Sequence, residues 1–408
     1  MTAIVGVLNK HAVAVAADSA VTLGGGKKVH TGANKIFALS KRYPVAIAVY
    51  GSAEFVGTPW ELIIKKFRKE KGDESYGSLR EYAENFLDYV KSNNNFCSEE
   101  EALECLKVNI ALTTQNIWKY CNEDTQTLSD YLLNVEKKAT STFLDGFSDS
   151  TVSYFVSNTK KELDEACVFL LNNSIGFDKD RLRTILTAMF TRRIQMAIPK
   201  AIQSGLVLTG YGESEMFPSL YHYTIGDVIN GVSSIIVNRP TIITKENPSS
   251  ICPFAQTDVM TTILDGVAPQ IQGIYMDSLI KTYSQIKKEL ASIIAPSNPA
   301  LANQVLKLDI EPFGRMFNTL SRQAQRNSYT TPFVRSIAGL EKEDLSEFAE
   351  SLITLTSIKR KVSPDQETVG GPVDVMIISK GDGIIWMKRK HYFDAHKNHH
   401  FFSNYFNS

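Results

Sequence analysis

The sequence predicts an α+β protein in which antiparallel sheets lie between layers of helices. Three blocks of strand-like sequence, at the start, in the middle and at the end of the chain, alternate with two long blocks of helical periodicity. No linker rich in Pro, Gly and Ser separates these blocks, which favours one domain over separate helical domains. With 408 residues, 43% of them hydrophobic, the chain is long enough to bury a sizeable core.

The first fifty residues predict four strands joined as two hairpins, because short runs of small or β-branched apolar residues flank turn-prone segments. These runs are residues 3–7, 12–16, 35–39 and 45–50. A glycine triplet at 24–26 separates the two pairs, and residues 51–54 indicate a junction between the last strand and a helix.

Residues 54 to about 203 predict helices, since apolar side chains recur there at spacings of three and four. Within this block, Ser98 and Glu101 have the spacing of a capping box and predict the start of one helix. Strands are expected to resume in four short segments, namely residues 205–210, 220–225, 234–237 and 241–244.

A second helical block is predicted from about residue 258 to 361. Prolines between residues 296 and 312 interrupt it, because proline cannot occupy the interior of a helix without breaking it. The chain then closes with a hairpin whose strands are residues 373–379 and 384–388.

The balance of charge and the cysteine content exclude several classes of protein. The chain has 44 basic and 44 acidic residues, so it lacks the basic face expected of a protein that binds nucleic acid or anionic membranes. Five cysteines without a CxxC pair indicate reduced thiols. The N-terminus has no secretory pattern, and no window approaches the ~20 apolar residues of a membrane span. We therefore expect a cytoplasmic protein.

The second residue is the strongest candidate for chemistry. Met1 precedes a small residue, Thr2, and removal of the initiator methionine would leave a free α-amine beside a hydroxyl on the same residue. That amine, with an ordinary pKa of about 7.7–8.0, can take the proton of the hydroxyl near neutral pH. The alternative is that Thr2 is simply the second residue of a chain that begins Met-Thr.

Three further positions fall at strand ends in the same block. Asp18 follows the second predicted strand, Lys35 begins the third, and Tyr50 and Gly51 end the fourth. Over residues 2–56 this order and spacing resembles the proteasome β-subunit family, including the peptidase subunit of the bacterial two-component protease and the ancestral β-subunit group. The central strands and the last hairpin resemble those of the same family. The resemblance implies a four-layer αββα sandwich, the Ntn-hydrolase fold, with helical insertions.

The resemblance also implies a catalytic group. Thr2 would be the nucleophile with its α-amine as general base, Lys35 would lower the pKa of both groups, and Asp18 would keep Lys35 charged and oriented. The alternative for Asp18 and Lys35 is an ordinary surface ion pair near strand ends. This mechanism requires no cofactor and no metal ion.

Other site residues follow from the same resemblance. Tyr50 and Gly51 would supply the backbone donors of an oxyanion hole, with Tyr50 standing where the family has a glycine. Residues that would border the primary specificity pocket are Val21, Ala48 and Ser52. Residues that would position the α-amine are Thr257, Asp365 and Thr368, while Thr257 or Asp258 can equally be a helix N-cap.

Four histidines lie close together near the C-terminus and raise the question of a metal site. They are His391, His396, His399 and His400. They lack a cluster of acidic companions, which favours a solvated tail over metal binding.

The chain is about twice as long as a usual catalytic domain of the family. The resemblance implies one domain over residues 1–408, with sandwich segments and two helical insertions. The sandwich segments are about 2–90, 196–270 and 340–390, and the insertions are about 90–195 and 270–340. We expect the insertions either to cap the chamber that holds the active site or to set a different oligomer.

Taken together, these features predict a threonine endopeptidase that hydrolyses peptide bonds through an acyl-enzyme on Thr2. By analogy the partners would be a peptide or unfolded protein substrate, a homo-oligomeric ring and an ATP-dependent unfoldase or activator. Two alternatives stay open. One is a catalytically inactive scaffold or regulatory ring subunit, which Tyr50 favours, and the other is an Ntn amidohydrolase that acts on a small amide.

Overall fold

The computed structural model describes residues 2–23, 28–92, 96–194, 201–363, 369–391 and 393–400. The N-terminal strands are β1 (Ala3–Asn9), β2 (Val13–Ala17), β3 (Val21–Leu23), β4 (Lys28–His30), β5 (Ile36–Ala38), β6 (Val45–Gly51), β7 (Glu54–Phe55) and β8 (Thr58–Pro59). The pairing of β1 with β2 and of β5 with β6 confirms the two predicted hairpins. The expected strand-to-helix junction at 51–54 is wrong, because the small hairpin β7–β8 precedes the first helix.

Seven helices follow in the described part of the chain. They are α1 (Trp60–Lys71), α2 (Leu79–Ser92), α3 (Glu99–Tyr120), α4 (Thr125–Lys137), α5 (Asp149–Asn158), α6 (Lys160–Asn173) and α7 (Lys179–Thr191). The predicted capping box is present at the start of α3, where the Ser98 side chain accepts from the Glu101 N–H and the Glu101 carboxylate accepts from the Ser98 N–H.

The middle block contains one strand that the sequence did not predict. The strands are β9 (Ser204–Gly210), β10 (Ser219–Ile229), β11 (Val232–Val237), β12 (Thr241–Ile242) and β13 (Ser249–Ala255). Pro253 lies inside β13, and proline argues against a central strand because it has no N–H for the ladder. The strand is tolerated because β13 is at the edge of its sheet, paired only with β1 among the described strands.

The last block is helical and ends in a hairpin. Its elements are α8 (Asp258–Asp265), α9 (Pro269–Ile294), α10 (Pro299–Leu306), α11 (Glu311–Gln325), α12 (Thr331–Ser336), α13 (Lys342–Val362), β14 (Asp374–Ser379) and β15 (Gly383–Lys388). Pro299 and Pro312 lie in the first turns of α10 and α11, where the missing N–H has no intrahelical partner to lose. The final hairpin is confirmed.

Two antiparallel sheets organise these elements. The first sheet has the order β13-β1-β2-β14-β15, and the second has the order β11-β10-β9-β6-β5. An apolar cluster contains side chains from the facing sides of both sheets, and we call the volume it occupies the inter-sheet space. On the far side of the first sheet lie α8 and α13, and on the far side of the second sheet lie α1 and α2. The fold is therefore a mixed α/β arrangement of antiparallel sheets and helices.

The remaining helices form two regions outside these layers. Helices α3 to α7 share a buried cluster that also contacts β10 and β11. Helices α9 to α11, residues 269–325, form a second region that we call the arm, and their only buried residues are Ala291, Ala302 and Gly314. None of the helices in the described ranges is long and apolar enough to cross a membrane.

Candidate active site

Thr2 lies at one end of the inter-sheet space. Side chains alternate along a strand, and Ile4 belongs to the inter-sheet cluster whereas Ala3 belongs to the cluster under α13. Thr2 therefore faces the inter-sheet space with Ile4, and it is only 8% exposed. Its carbonyl accepts a hydrogen bond of 3.0 Å from the N–H of Gln256, just beyond β13.

Asp18 is the central polar group at this end. One carboxylate oxygen accepts from the N–H of Ala3 at 2.9 Å and from the ammonium of Lys35 at 2.7 Å. The other oxygen accepts from the N–H groups of Ala20 and Gly370, both at 3.1 Å. Because four donors occupy its two oxygens, the carboxylate is held in one orientation and is suited to positioning rather than to proton abstraction.

Lys35 crosses from the second sheet to the first. It immediately precedes β5, and its ammonium donates to Asp18 and, at 2.6 Å, to the carbonyl of Ala20. Lys35 is 4% exposed and Asp18 is 1% exposed, so the pair is buried rather than on the surface. Burial lowers the pKa of Lys35, and the charge and hydrogen bond of Asp18 act against that shift.

The ammonium of Lys35 retains one N–H without a partner among the described residues, since lysine has three donors and two are used. Lysine is rarely buried without a functional or structural reason. A buried ammonium with an unused donor is the kind of group that stabilises an anion or lowers the pKa of a neighbouring hydroxyl.

Backbone N–H groups of β6 alternate between its two neighbours. Val49 donates to the carbonyl of Lys35 at 2.9 Å, toward β5, whereas Ser52 donates to the carbonyl of Gln203 at 2.8 Å, toward β9. By this alternation the N–H of Gly51 is directed toward the β5 side, as that of Val49 is.

The position opposite Gly51 in that register is Ala33, whose carbonyl would accept from the Gly51 N–H. No such hydrogen bond forms among the described residues, and the N–H of Ala33 donates to the carbonyl of Ser19 at 3.2 Å. Gly51 is exposed, so its N–H has no partner in the described ranges on the side where Lys35 lies. Gly51 has φ +79°, and a Cβ at this position would lie 2.3 Å from the carbonyl oxygen of Gln203, so the turn requires glycine.

The ring of Tyr50 points into the inter-sheet space rather than across this backbone turn. It lies flat over Gly205 on β9, where an added Cβ would be 2.1 Å from the ring. This path lets the hydroxyl reach His222 on β10, with 2.6 Å between the oxygen and Nε2. Phe254 of the opposite sheet stacks on the Tyr50 ring at a centroid distance of 6.1 Å.

Both members of this pair are neutral near pH 7. Burial raises the pKa of Tyr50 to about 12 and lowers the pKa of His222 to about 4. The hydrogen bond between the phenol oxygen and Nε2 can form with either tautomer of neutral His222, since a hydroxyl both donates and accepts. The pair adds no charge to the site, and it leaves the Gly51 N–H unobstructed.

Thr257 occupies the N-cap position of α8, next to Gln256, which binds the Thr2 carbonyl. Its backbone is helical and its side chain makes no capping hydrogen bond, so the structure gives no support to a capping role. Asp258 is paired instead with Arg360 at 2.7 Å and with Lys359 at 3.0 Å. The Thr257 hydroxyl makes no hydrogen bond within the described ranges, and its predicted role at the α-amine stays a prediction.

The other predicted residues make no hydrogen bond to Asp18 or Lys35 in the described ranges, or they lie outside the description. Val21 is half-buried on β3, Ala48 is buried in the inter-sheet cluster, and the Ser52 hydroxyl binds the carbonyl of Glu54. Asp365 and Thr368, like Met1, lie outside the described residues, and their roles stay predictions.

Sequence reasoning missed three residues of this end of the molecule. His222, Phe254 and Gly205 meet only because three strands from two sheets are aligned. The sequence contained one signal for His222. It lies two residues after Leu220 on the same strand, and so its side chain is on the same face of the sheet as that core residue. A histidine at a core position needs a partner, and that partner is Tyr50.

The C-terminal histidines are the candidate metal ligands considered from the sequence. His391, His396, His399 and His400 are all exposed. Across the ranges given above, no group of three or more His, Cys, Asp or Glu residues is arranged to hold a metal ion.

Comparison with known proteins gives little to add to this geometry. No family model matches the chain, and no curated protein matches it. A solved structure that matches is the Anbu (Gly-1) mutant from Hyphomicrobium sp. strain MC1, at 10% identity, with 100% of this chain and 92% of that chain covered and a TM-score of 0.33.

Two further structures are similar at the same level. Anbu (ancestral β-subunit) from Yersinia bercovieri matches at 10% identity, with coverage of 98% and 93% and a TM-score of 0.30. The helical assembly of the Anbu complex from Pseudomonas aeruginosa matches at 10% identity, with coverage of 98% and 93% and a TM-score of 0.26. TM-scores below 0.5 do not establish a shared fold, and these likenesses carry no functional assignment.

The assignment to the proteasome β-subunit family is wrong. Neither a family model nor a curated member supports it, and the three matched structures are Anbu proteins, which resemble proteasome β-subunits only distantly. The motifs at Thr2, Asp18 and Lys35 must therefore be judged by their own geometry.

Proposed function

We propose that this protein is an N-terminal-nucleophile hydrolase that cleaves amide bonds, with peptide bonds as its substrates. The nucleophile is the Thr2 hydroxyl, exposed together with its α-amine by removal of Met1. The observation that carries the proposal is the buried Lys35 ammonium, fixed by Asp18 and Ala20 and left with one unused N–H at the end of the inter-sheet space that Thr2 faces.

In the first step the Thr2 hydroxyl oxygen attacks the amide carbonyl carbon while its proton passes to the α-amine, directly or through a water. The positive charge of Lys35 lowers the pKa of the hydroxyl, which makes this transfer easier. Negative charge develops on the former carbonyl oxygen, and the open N–H of Gly51 supports a role as its donor.

Collapse of this tetrahedral species breaks the amide C–N bond. The proton held by the α-amine goes to the leaving nitrogen, and the acyl group stays as an ester on Thr2. A water molecule then attacks the ester with the α-amine as base, which releases the acid and restores Thr2. Every proton is returned, and no cofactor enters the balance.

Asp18 acts in this scheme by position and charge. Burial alone lowers the pKa of Lys35 and disfavours the ammonium, whereas the Asp18 carboxylate at 2.7 Å favours it. The same carboxylate binds the N–H of Ala3 and so fixes the residue after the nucleophile.

The proposed substrate class rests on the backbone at Gly51. On the β5 side, the backbone of Gly51 has no hydrogen-bond partner among the described residues, because Ala33 binds Ser19 and does not continue the pairing of β5 with β6. An extended peptide can continue the register of β5 along that face with main-chain hydrogen bonds. A small amide has no such backbone to offer.

We further propose the four-layer αββα arrangement for this site, formed by the two facing sheets and the helices outside them. The sandwich segments would be about 2–90, 196–270 and 340–390, with insertions at about 90–195 and 270–340. The inactive-scaffold alternative loses its main support, because the Tyr50 ring lies over Gly205 and leaves the Gly51 turn open.

The test is intact mass spectrometry before and after incubation with an epoxyketone, an electrophile directed at N-terminal threonine. Loss of Met1 and one adduct localised to Thr2 is the expected result. Cysteine adducts are a small background because burial raises the pKa of all five thiols, which keeps them protonated. A Thr2→Ala chain serves as the control and should stay unlabelled.

Retained Met1 overturns the proposal, because the α-amine that serves as base then does not exist. Removal of Met1 without any adduct on Thr2 also contradicts it. If labelling succeeds, an unfolded polypeptide and small amides tested side by side separate the peptidase from the amidohydrolase.

A further inference from the structure

The arm has an unusual surface. In the described part of the chain, 31 large apolar side chains are strongly exposed, and 14 of them lie in the arm. The arm therefore contains about half of the exposed large apolar side chains, although it makes up only about a seventh of the chain. Contiguous apolar exposure of this kind marks interaction sites more often than it occurs by chance.

The exposed residues on α11 form a continuous stripe, defined by Phe313, Met316, Phe317 and Leu320. Their spacings of three, four and seven place them on one face of the helix. Their exposed fractions lie between 39% and 58%, so the stripe is not covered by the rest of the arm.

The charges of α11 lie on another face. Glu311, Arg315 and Arg322 are separated by four and seven residues and therefore share a side, and Glu311 is paired with Arg315 at 2.9 Å. The residues that border the stripe are uncharged, for example Thr319 and Gln323. An interface core that lacks charge selects for an apolar partner rather than for a charged peptide.

A groove of about 170 Å³ lies between α9 and α11, immediately beside the stripe. Tyr275 and Met276 of α9 line one wall, and Phe317 of the stripe lines the other. Stripe and groove are thus a projection and a recess on the same surface, as a self-complementary interface requires.

The available area fits a dimer. The four stripe residues with Ile271 and Tyr275 of α9 are each about half exposed, and together they present on the order of 500 Å² of apolar surface. A standard interface buries about 800 Å² per partner, of which somewhat more than half is apolar. The arm therefore supplies the apolar part of one such interface without help from other regions.

We propose that a second copy of this chain covers the arm, with the stripe of each copy seated against the groove of the other. A two-fold axis relates the copies, and it passes between the stripe and the groove, where Phe317 borders both. This dimer does not depend on the chemistry at Thr2.

The first test is sedimentation velocity of the full-length protein over a range of concentrations. The wild-type chain should dimerise, and Leu320→Asp should raise the dimer dissociation constant by about tenfold or more, because a charge then enters the apolar core. Leu62→Asp is the matched control, since Leu62 on α1 is 57% exposed and Leu320 is 58% exposed. Leu62→Asp should leave the dissociation constant unchanged.

The second test uses oxidation of introduced cysteines. Phe317→Cys should give a covalent dimer, since residues beside a two-fold axis bring their own copies within disulfide reach. Leu171→Cys on α6, at a residue that is also 39% exposed, and the wild-type chain with its five thiols are the controls and should not cross-link in this way.

Three results overturn the proposal. A wild-type chain that is monomeric at all concentrations means that a different protein covers the arm. Equal effects of Leu320→Asp and Leu62→Asp, with no cross-link at Phe317→Cys, place the contact elsewhere. Loss of the dimer on removal of residues 401–408 identifies the aromatic C-terminal segment as the occupant instead.

Discussion

The Thr2 end of the inter-sheet space and the arm depart from ordinary burial in opposite ways. At the Thr2 end, a carboxylate and an ammonium are inside the protein, and Asp18 alone accepts four hydrogen bonds. On the arm, large apolar side chains such as Met316 and Leu320 are outside, with more than half of their surface exposed.

This difference in burial indicates which contacts stabilise each region. Buried charges destabilise a protein unless partners within the same chain satisfy them, so the Thr2 end must be complete in the monomer. No part of the same chain covers the exposed apolar side chains of the arm in the described structure, so in our proposal a second copy buries them. Substitutions should therefore change folding and chemistry at the first region, and assembly at the second.

The largest effect is expected for Thr2→Ala. Acylation and amide hydrolysis should fall by at least about 10³-fold, because no other hydroxyl is paired with an α-amine. The free energy of unfolding should fall by only about 1 kcal/mol, since a buried side chain loses one methyl and one hydroxyl group. Labelling by the epoxyketone and thermal unfolding measure the two quantities. Thr2→Ser, which also permits removal of Met1, should retain labelling, and its failure would contradict the role of the hydroxyl.

The Lys35→Met substitution should affect both chemistry and stability. It leaves the Asp18 carboxylate buried without its counter-charge, which should lower the free energy of unfolding by about 3–5 kcal/mol and abolish labelling. The double variant Asp18→Asn with Lys35→Met removes both charges and should recover part of that stability without recovering activity. Chemical denaturation with parallel labelling tests this, and a labelled double variant would show that Lys35 has no chemical role.

The packing of Tyr50 over Gly205 predicts a coupled pair. Gly205→Ala should destabilise the protein by about 1–3 kcal/mol, because the new methyl group lies 2.1 Å from ring atoms. In a Tyr50→Ala background the same substitution should have a smaller effect. A double-mutant cycle measured by denaturation quantifies the coupling, and additive effects would mean that the ring does not lie there.

The Tyr50–His222 pair also predicts a pH dependence. Because the pKa of His222 is about 4 in the folded protein and about 6.5 when unfolded, only the unfolded chain binds this proton between those values. Stability should therefore fall as pH falls through that window, by about 1–2 kcal/mol between pH 7 and 5. His222→Gln should remove this part of the slope. An unchanged slope in unfolding free energy would place the titration on other groups.

The smallest effect on folding is expected on the arm. Leu320→Asp should change the free energy of unfolding of the monomer by no more than about 0.5 kcal/mol, because its side chain is already largely in water. Denaturation at concentrations below the dissociation constant measures this. A loss of several kcal/mol would mean that the arm has an internal core, and the contrast with the Thr2 end would disappear.

The sequence predicted those parts of the fold that depend on local pattern. Runs of small or β-branched apolar residues between turns placed β1, β2, β5 and β6 within a residue or two, because each strand pairs with its neighbour along the chain. The capping box at Ser98 is equally local. The strand β13 was missed because Pro253 argues against a strand unless its edge position is known, and that position depends on residue pairing with β1.

The sequence predicted which residues belong to the candidate site, but it did not predict the hydrogen bonds between distant segments that hold them. Thr2 was singled out by its place after Met1, and Asp18 and Lys35 by their places at predicted strand ends together with the family resemblance. The donor from Gly370, in contrast, is 352 residues away from Asp18 in sequence. The contact between Tyr50 and His222 depends on the register of two strand pairs. A motif confined to residues 2–56 also proved too short to fix the family, since it constrains one corner of a chain of 408 residues.

Periodicity predicted the helices of both outer regions without distinguishing them. An apolar stripe shows that something covers a helix face, but it does not say whether the cover comes from the same chain. Helices α3 to α7 bury their stripes among themselves, with Phe155 and Leu186 fully enclosed. On α11 the same kind of pattern faces water.

The backbone groups that bind Thr2 and Asp18 come late in the sequence, so this region can assemble only late in synthesis. Thr2 is held by the N–H of Gln256, and Asp18 by the N–H of Gly370. Neither partner exists until most of the chain has left the ribosome, which at ordinary rates of translation takes on the order of tens of seconds. A nascent or prematurely terminated chain therefore carries Thr2 and Asp18 without the backbone contacts that hold them in the folded protein.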